Sequence, residues 1–150
     1  QFLYRDIRDW SEKYVISEIL YDPYSSNELI NELSDSFEMV EVQQSLRYLS
    51  PMTKAFEACV LNGDIVCDNP VLSWMVSNAT VYSDANSNIK VIKNTNEKGG
   101  NNSKRIDNLI CAIMCVGRTE SLRENGELIM TDPNKTEESL ENFLSSLKWE

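Results

Sequence analysis

Helical and strand periodicity alternate along residues 4–63, and this alternation restricts the fold more than any other feature of the sequence. The expected elements, in chain order, are a helix over 4–14, a strand over 15–24, a helix over 25–37, a strand over 38–44 and a helix over 50–63. A strand that returns beside the previous one after a helix needs a crossover connection. The segment therefore predicts an α/β fold with parallel strands and right-handed crossovers.

The rest of the chain follows a different pattern. Residues 69–78 predict a short helical segment, and residues 79–83 and 88–93 predict a β-hairpin around the polar turn between them. Residues 104–118 predict a long, buried helix that is apolar nearly all round, with Cys111 and Cys115 as buried thiols. We expect one domain over 1–118 and a polar tail over 119–150, with a short helix at 137–149.

Composition excludes several classes of function. The chain of 150 residues contains no histidine, which excludes serine or cysteine nucleophiles activated by histidine and histidine-based zinc sites. No apolar stretch reaches the roughly 20 residues of a membrane-spanning helix. The N-terminus lacks the basic-then-apolar layout of a secretory signal. We therefore expect an intracellular protein that is neither secreted nor associated with a membrane.

The charge is distributed unevenly. The formal net charge is −10, but residues 86–105 carry five basic side chains and one acidic one. A basic segment within an acidic protein predicts a local phosphate-binding strip. The alternative is a solvated loop, which charge alone favours.

Two carboxylates stand apart from the acids on solvated helix faces. Asp22 follows the first predicted strand directly, and parallel sheets bind ligands outside the carboxyl ends of their strands. The alternative for Asp22 is an Asp-Pro turn in which the carboxylate caps the backbone. Asp107 shares a core-facing stripe of its predicted helix, where an unpartnered carboxylate costs several kcal/mol. The alternative for Asp107 is a first-turn acid that the helix dipole favours by about 0.3–1 kcal/mol.

A divalent cation shared by Asp22 and Asp107 would satisfy both residues. Mg²⁺ or Mn²⁺ takes oxygen ligands from a few carboxylates and keeps positions for water and phosphate. Two such ions support phosphodiester cleavage, although a two-ion site usually needs at least three acids. Basic residues that could lie near the pair, namely Lys93, Lys104 and Arg105, would neutralise the scissile phosphodiester backbone.

The run from Ile7 to Arg118 resembles the C-terminal nuclease domain of the terminase large subunit of tailed bacteriophages, in the group that includes HK97-like phages. The matching segments are ILYDPY (19–24), FEMVEVQQ (37–44), LSPMTKAFE (49–57), NPVLSWMVSN (69–78), SNIK (87–90) and KRIDNLICAIMCVGR (104–118). The resemblance implies an RNase H-like (retroviral integrase-type) mixed sheet flanked by helices, to which the hairpin is added. It also implies metal-dependent cutting of concatemeric viral double-stranded DNA by a two-metal mechanism during packaging.

The resemblance carries residue roles. Asp22 and Asp107 match two active-site acids of the family, and Gln44, Lys54 and Asn78 match positions to which we assign supporting roles. The family pattern begins with a strand that bears a further aspartate, and this chain starts after it. We therefore expect a sheet truncated at its N-terminal side, with an unprotected strand edge, and little or no DNA cleavage by this chain alone.

The resemblance also implies partners. These are the terminase ATPase domain, the small terminase subunit and the portal, in the cytoplasm of the phage host. The chain itself contains no phosphate-binding GxxxxGK[ST] loop.

Two alternatives to a nuclease remain open. One is a catalytically incomplete RNase H-like module that acts only in binding DNA or the packaging motor. The residues upstream of Gln1 would distinguish it from a nuclease, because an aspartate-bearing strand there favours the nuclease. The other is a cysteine-based metal or redox regulator, which thiol titration of the native protein would separate.

Overall fold

The computed structural model of the chain describes residues 2–24, 27–94 and 104–127. The helices and strands are α1 (Phe2–Ser11), β1 (Ile19–Tyr21), α2 (Asn27–Leu33), β2 (Met39–Glu41), α3 (Leu46–Asn62), α4 (Pro70–Ser77), β3 (Ala79–Ser83), β4 (Ile89–Lys93) and α5 (Asp107–Glu124). The chain divides into two compact units, Gln1–Arg118 and Thr119–Glu150. The tail helix expected at 137–149 lies outside the described residues.

Helix α2 connects two parallel strands, as the alternating pattern predicts. Strands β1 and β2 pair in parallel, with Ile19 opposite Met39 and Tyr21 opposite Glu41. Each strand is only three residues long, shorter than the strands predicted over 15–24 and 38–44. Val15, at the start of the first predicted strand, is fully exposed. The α/β class is confirmed.

The hairpin forms where the sequence predicts it. Strands β3 and β4 pair antiparallel, from Ala79 opposite Lys93 to Ser83 opposite Ile89. Asp84 stabilises the turn, because its carboxylate accepts hydrogen bonds from the backbone N–H groups of Asn86 (2.9 Å) and Asn88 (2.8 Å). Where one mixed sheet is expected, the described residues form two separate sheets of two strands each.

Helix α3 begins earlier than the predicted residue 50, where a serine followed by a proline is typical of a helix start. Ser45 and not Ser50 is the N-cap, so that Pro51 lies inside the helix. Ser50 is buried, and its hydroxyl accepts a hydrogen bond from the backbone N–H of Ile89 in β4 at 3.1 Å. Gly63 ends the helix at φ 78°, a left-handed conformation that glycine adopts without strain.

The core lies between α5 and three other elements, namely α3, α4 and β4. One buried cluster comprises Met75, Val91, Ile106, Leu109 and Ile113. A second cluster comprises Val42, Leu49 and Met114. The partly buried side chains of Met52 and Ile110 pack against both clusters and so connect them.

Two helices expose side chains that an apolar helix face would normally bury. In α1 only Ile7 is buried, whereas Trp10 is 54% exposed and Tyr14, beyond the helix, is 68% exposed. In α5, Cys111 and Cys115 are exposed and not buried as expected. A helix that is apolar nearly all round carries no periodic signal to show which face meets the core.

An ion pair joins the segment before β1 to α5. The Arg118 guanidinium donates through Nε to Glu18 Oε2 at 2.7 Å and through Nη2 to Glu18 Oε1 at 2.6 Å. These hydrogen bonds hold the pKa of the Glu18 carboxyl below its usual value. The pair fixes β1 relative to the helix that carries Asp107.

No helix in the described part of the chain is long and apolar enough to span a membrane.

Candidate active site

A cleft of about 730 Å³ lies between β1, β4 and the beginning of α5. We call it the carboxylate cleft. Its polar lining consists of Asp22, Gln44, Lys90, Lys93, Asp107 and Cys111. Its apolar lining consists of Leu20, Val91, Ile92, Ile106, Ile110 and Met114.

Asp22 reaches the cleft because β1 ends one residue before it. The side chain is exposed, and its Oδ1 atom accepts a hydrogen bond from the backbone N–H of Tyr24 at 2.9 Å. The alternative expected from the sequence, a turn-capping aspartate, is therefore present in the structure. Each oxygen of a carboxylate has two lone pairs, so that capping and metal binding are compatible.

Asp107 reaches the cleft as the first residue of α5. Its side chain is exposed, so the expectation that it lies on the core-facing stripe is wrong. The reason is that Ile106, and not Asp107, turns into the core just before the helix begins. Burial therefore does not demand a partner for this carboxylate, and the favourable position of an acid in the first turn of α5 explains it structurally. The feature that remains to support chemistry is that Asp107 and Asp22 line the same cleft.

Asp107 also influences a thiol one helical turn further along α5. Partial desolvation, and then the negative charge of Asp107, raise the pKa of the Cys111 thiol. Cys111 was not expected at a site, because the sequence suggested that its side chain was buried. Its presence in the lining follows from the rotation of α5, which the periodicity did not determine.

The basic residues expected to bind DNA divide into two groups. Lys93, at the end of β4, lines the carboxylate cleft. Lys104 and Arg105 precede α5 and are not part of the lining; Lys104 is half-buried and Arg105 is exposed. Lys90 also lines the cleft, although sequence reasoning recorded it only as one charge of the basic strip.

The three residues expected to support the site occupy different places. Gln44 lines the cleft, where its Nε2 donates to the carbonyl oxygen of Val42 at 3.0 Å. Asn78 is buried outside the cleft, and its Nδ2 donates to the carbonyl oxygen of Arg105 at 3.2 Å, which positions the residues leading into α5.

Lys54 is exposed on α3 and is not among the cleft residues. It lies near the turn of the hairpin. The side-chain hydrogen bond from Asn88 is the main cause that lowers the pKa of Asp84, and the charge of Lys54 is a smaller one.

The donor atoms in the cleft fit a hard divalent cation in part. Carboxylate oxygens are the ligands that Mg²⁺ prefers, and one or two of them with substrate phosphate are sufficient for a single ion. Among the described residues no group of three or more His, Cys, Asp or Glu side chains could hold a metal ion. The described part of the chain therefore suits one ion better than two.

Comparison with known proteins places the chain in a family. The family model described as "Terminase large subunit, endonuclease domain" matches residues 6–122, which is most of the chain. No curated protein and no solved structure matches this chain. The match confirms the resemblance drawn from the sequence segments and includes every residue that lines the carboxylate cleft. The chain belongs to the endonuclease-domain family of terminase large subunits.

Proposed function

We propose that this chain is the domain that cuts concatemeric double-stranded viral DNA during packaging, by metal-dependent phosphodiester hydrolysis with Mg²⁺ or Mn²⁺. One observation carries the proposal: Asp22 and Asp107, which are distant in sequence, line one cleft together with Lys93. Family membership supports an endonuclease role. The RNase H-like arrangement of the fold stays a prediction, which the parallel β1–β2 pair with its helical crossover supports.

The two carboxylates would act as the metal ligands. Because both side chains are exposed, binding an ion does not first require a buried charge to be stabilised. When bound, the ion would activate a water molecule and stabilise negative charge on the phosphate. A second ion would need a further ligand, and the family resemblance expects it from an aspartate on an earlier strand. With two carboxylates alone, we expect cleavage that is slow but measurable and that depends on both of them.

The basic residues would bind the DNA backbone. Lys93 lies in the cleft, where its ammonium group would face a phosphate held next to the carboxylates. Lys104 and Arg105 immediately precede Asp107 and would contact phosphates that flank the cleft. Such contacts do not read base sequence, so binding should be sequence-tolerant and strongly dependent on salt.

Gln44 and Asn78 would act indirectly. Gln44 would keep the end of β2 against α5, because its amide also contacts the sulfur of Met114 at 3.5 Å. Asn78 would hold the backbone of Arg105 in place and thereby set the position of Asp107. In the packaging machine the domain would work in the host cytoplasm with the ATPase domain, the small subunit and the portal.

A second candidate function is binding without cleavage. The lack of a group of three metal-binding side chains in the described residues favours it. Such a module would bind DNA or the packaging motor through the same basic residues. It differs from the nuclease in one measurable property, which is cleavage that depends on the two carboxylates.

The test combines metal binding with cleavage. Electron paramagnetic resonance of Mn²⁺ would count bound ions in the 150-residue chain, and nicking of supercoiled plasmid would report hydrolysis. We expect the wild type to bind one Mn²⁺, and Asp22→Asn and Asp107→Asn each to lose binding and any nicking. Asp64→Asn is the matched control, since Asp64 is exposed outside the cleft. Mn²⁺ binding that is unchanged in both variants would refute the proposed site. Metal and DNA binding without nicking would favour the binding module.

A further inference from the structure

Lys90 lies at the place where the two sheets meet the carboxylate cleft. It belongs to β4, pairs with Tyr82 across the hairpin and is half-buried. Its Nζ atom donates a hydrogen bond to the backbone carbonyl of Gln44, three residues after the end of β2. No strand ladder joins the two sheets within the described residues, so this side chain connects the hairpin to the end of the parallel sheet.

The hydrogen bond orients the ammonium group but leaves its charge in place. A carbonyl oxygen is a neutral acceptor, and an ammonium group has three N–H donors, of which this bond uses one. The remaining charged groups in the cleft lining are Asp22, Asp107 and Lys93. With the two carboxylates engaged as metal ligands, the two ammonium groups would form the positive part of the lining.

We propose that Lys90 is a phosphate-binding residue that holds the DNA backbone in the carboxylate cleft, and that the Gln44 carbonyl holds it in position. The proposal rests on the proposed function, because it takes DNA as the ligand of this cleft, and it gives an individual role to a residue that the sequence marks only as one charge of the basic segment 86–105. Its chemistry selects the sugar–phosphate backbone and no particular base.

Lys90 should contribute more per contact than the other basic residues near the cleft. A long, flexible lysine side chain loses rotamer freedom when it binds. Lys90 has lost part of that freedom already, because it is half-buried and hydrogen-bonded, whereas Lys93 is exposed at the end of the strand. A preorganised contact loses less entropy on binding and therefore binds the phosphate more tightly.

The salt dependence of DNA binding tests the proposal. Fluorescence anisotropy would give the affinity of the full chain for a labelled duplex over a range of NaCl concentrations, with Ca²⁺ in place of Mg²⁺. Each phosphate contact contributes about 0.9 to the slope of log affinity against log salt. Lys90→Gln should reduce the slope by about 0.9, whereas Lys90→Arg should keep it.

The control is Lys13→Gln, which changes net charge equally at an exposed residue outside the cleft. It should leave the slope unchanged. A merely structural role for Lys90 would lower the melting temperature without changing the slope.

A second measurement needs no variant. Acetylation of lysines in the wild-type chain, read by peptide mass spectrometry, should be slowed by duplex DNA at Lys90 and not at Lys13. An unchanged slope in Lys90→Gln, or acetylation of Lys90 at the same rate with and without DNA, would overturn the proposal. Such a result with Mn²⁺ still bound through Asp22 and Asp107 would leave the proposed function intact. If Mn²⁺ binding did not depend on Asp22 and Asp107 while DNA still protected Lys90 from acetylation, only the proposed metal site would be refuted.

Discussion

Replacing Gly117 by alanine should destabilise the protein, although alanine is the better helix former. Helix α5 passes α3 so closely at Gly117 that an added Cβ would lie 2.4 Å from Cβ of Met52 and 2.6 Å from its Cα. Ordinary van der Waals contact of a Cβ begins near 3.4 Å. Since the Cα of Met52 is backbone, rotation of its side chain cannot relieve the overlap, and the two helices must move apart.

Two opposing contributions set the magnitude. Exchanging glycine for alanine inside a helix gains about 1 kcal/mol. Overpacking a close contact costs typically about 1–3 kcal/mol, and the involvement of backbone atoms places this site at the upper end. The net destabilisation should be about 1–2 kcal/mol, or a decrease in Tm of about 2–8 °C for a chain of this size.

Urea denaturation followed by circular dichroism measures the change as a lower midpoint at an unchanged slope. Ala112→Gly, on the same helix, gives the propensity contribution separately and should cost about 1 kcal/mol. Met52→Ala should not rescue Gly117→Ala, because the Cα and Cβ atoms of residue 52 remain. A Gly117→Ala protein more stable than the wild type would show that α3 and α5 are farther apart, which would undermine the placement of the carboxylate cleft as well.

Substitutions at three further positions test other parts of the structure. Glu18→Gln should lower the free energy of unfolding by about 1–2 kcal/mol near neutral pH. Hydrogen bonds from Arg118 lower the pKa of Glu18 in the folded state, so this stabilisation is complete above the unfolded pKa of 4.5 and is lost as the pH falls through the folded pKa. Urea titrations should therefore show a smaller difference in unfolding free energy between variant and wild type at acid pH than at neutral pH. An equal difference at both pH values would contradict the ion pair. Asn69→Ala should cost about 1 kcal/mol, because the Asn69 side chain accepts from the first N–H groups of α4, and Asn69→Asp should retain the stability. Asp107→Asn should speed alkylation of Cys111 by iodoacetamide at neutral pH, since removing the carboxylate charge lowers the thiol pKa; peptide mass spectrometry with Cys67 as internal reference would measure it, and an unchanged rate would place the two side chains farther apart.

Local chemistry explains which elements could be predicted from the sequence. Gly63 ends α3 because a left-handed residue is needed there, and the hairpin turn forms around Asp84 because its carboxylate binds two backbone N–H groups. Ser50 and Pro51 misled the prediction for the start of α3. The Ser50 hydroxyl binds a strand that is distant in sequence, and no local rule shows such a contact.

The candidate site was predictable only in part for a similar reason. Asp22 was a candidate from the sequence because the end of a strand is marked by its own residues, and that position alone suggests a ligand site. For Asp107 the expected burial was wrong, because its side chain is exposed; the family resemblance and the cleft that it shares with Asp22 are what support it as a candidate. The sequence did not single out Lys90 from the basic segment, because its hydrogen bond to the carbonyl of Gln44 forms only when the hairpin packs beside that residue.

The position of α5 connects the stability of the fold with the chemistry of the cleft. Its first residue supplies one carboxylate, its glycine sets the approach to α3, and its Arg118 is joined to the segment that leads into β1 and Asp22. A shift of this helix would therefore change the distance between the two carboxylates without touching either. Substitutions at Gly117 or Glu18 should accordingly weaken Mn²⁺ binding as well as stability, whereas Asn69→Ala, which acts at the beginning of α4, should reduce stability alone.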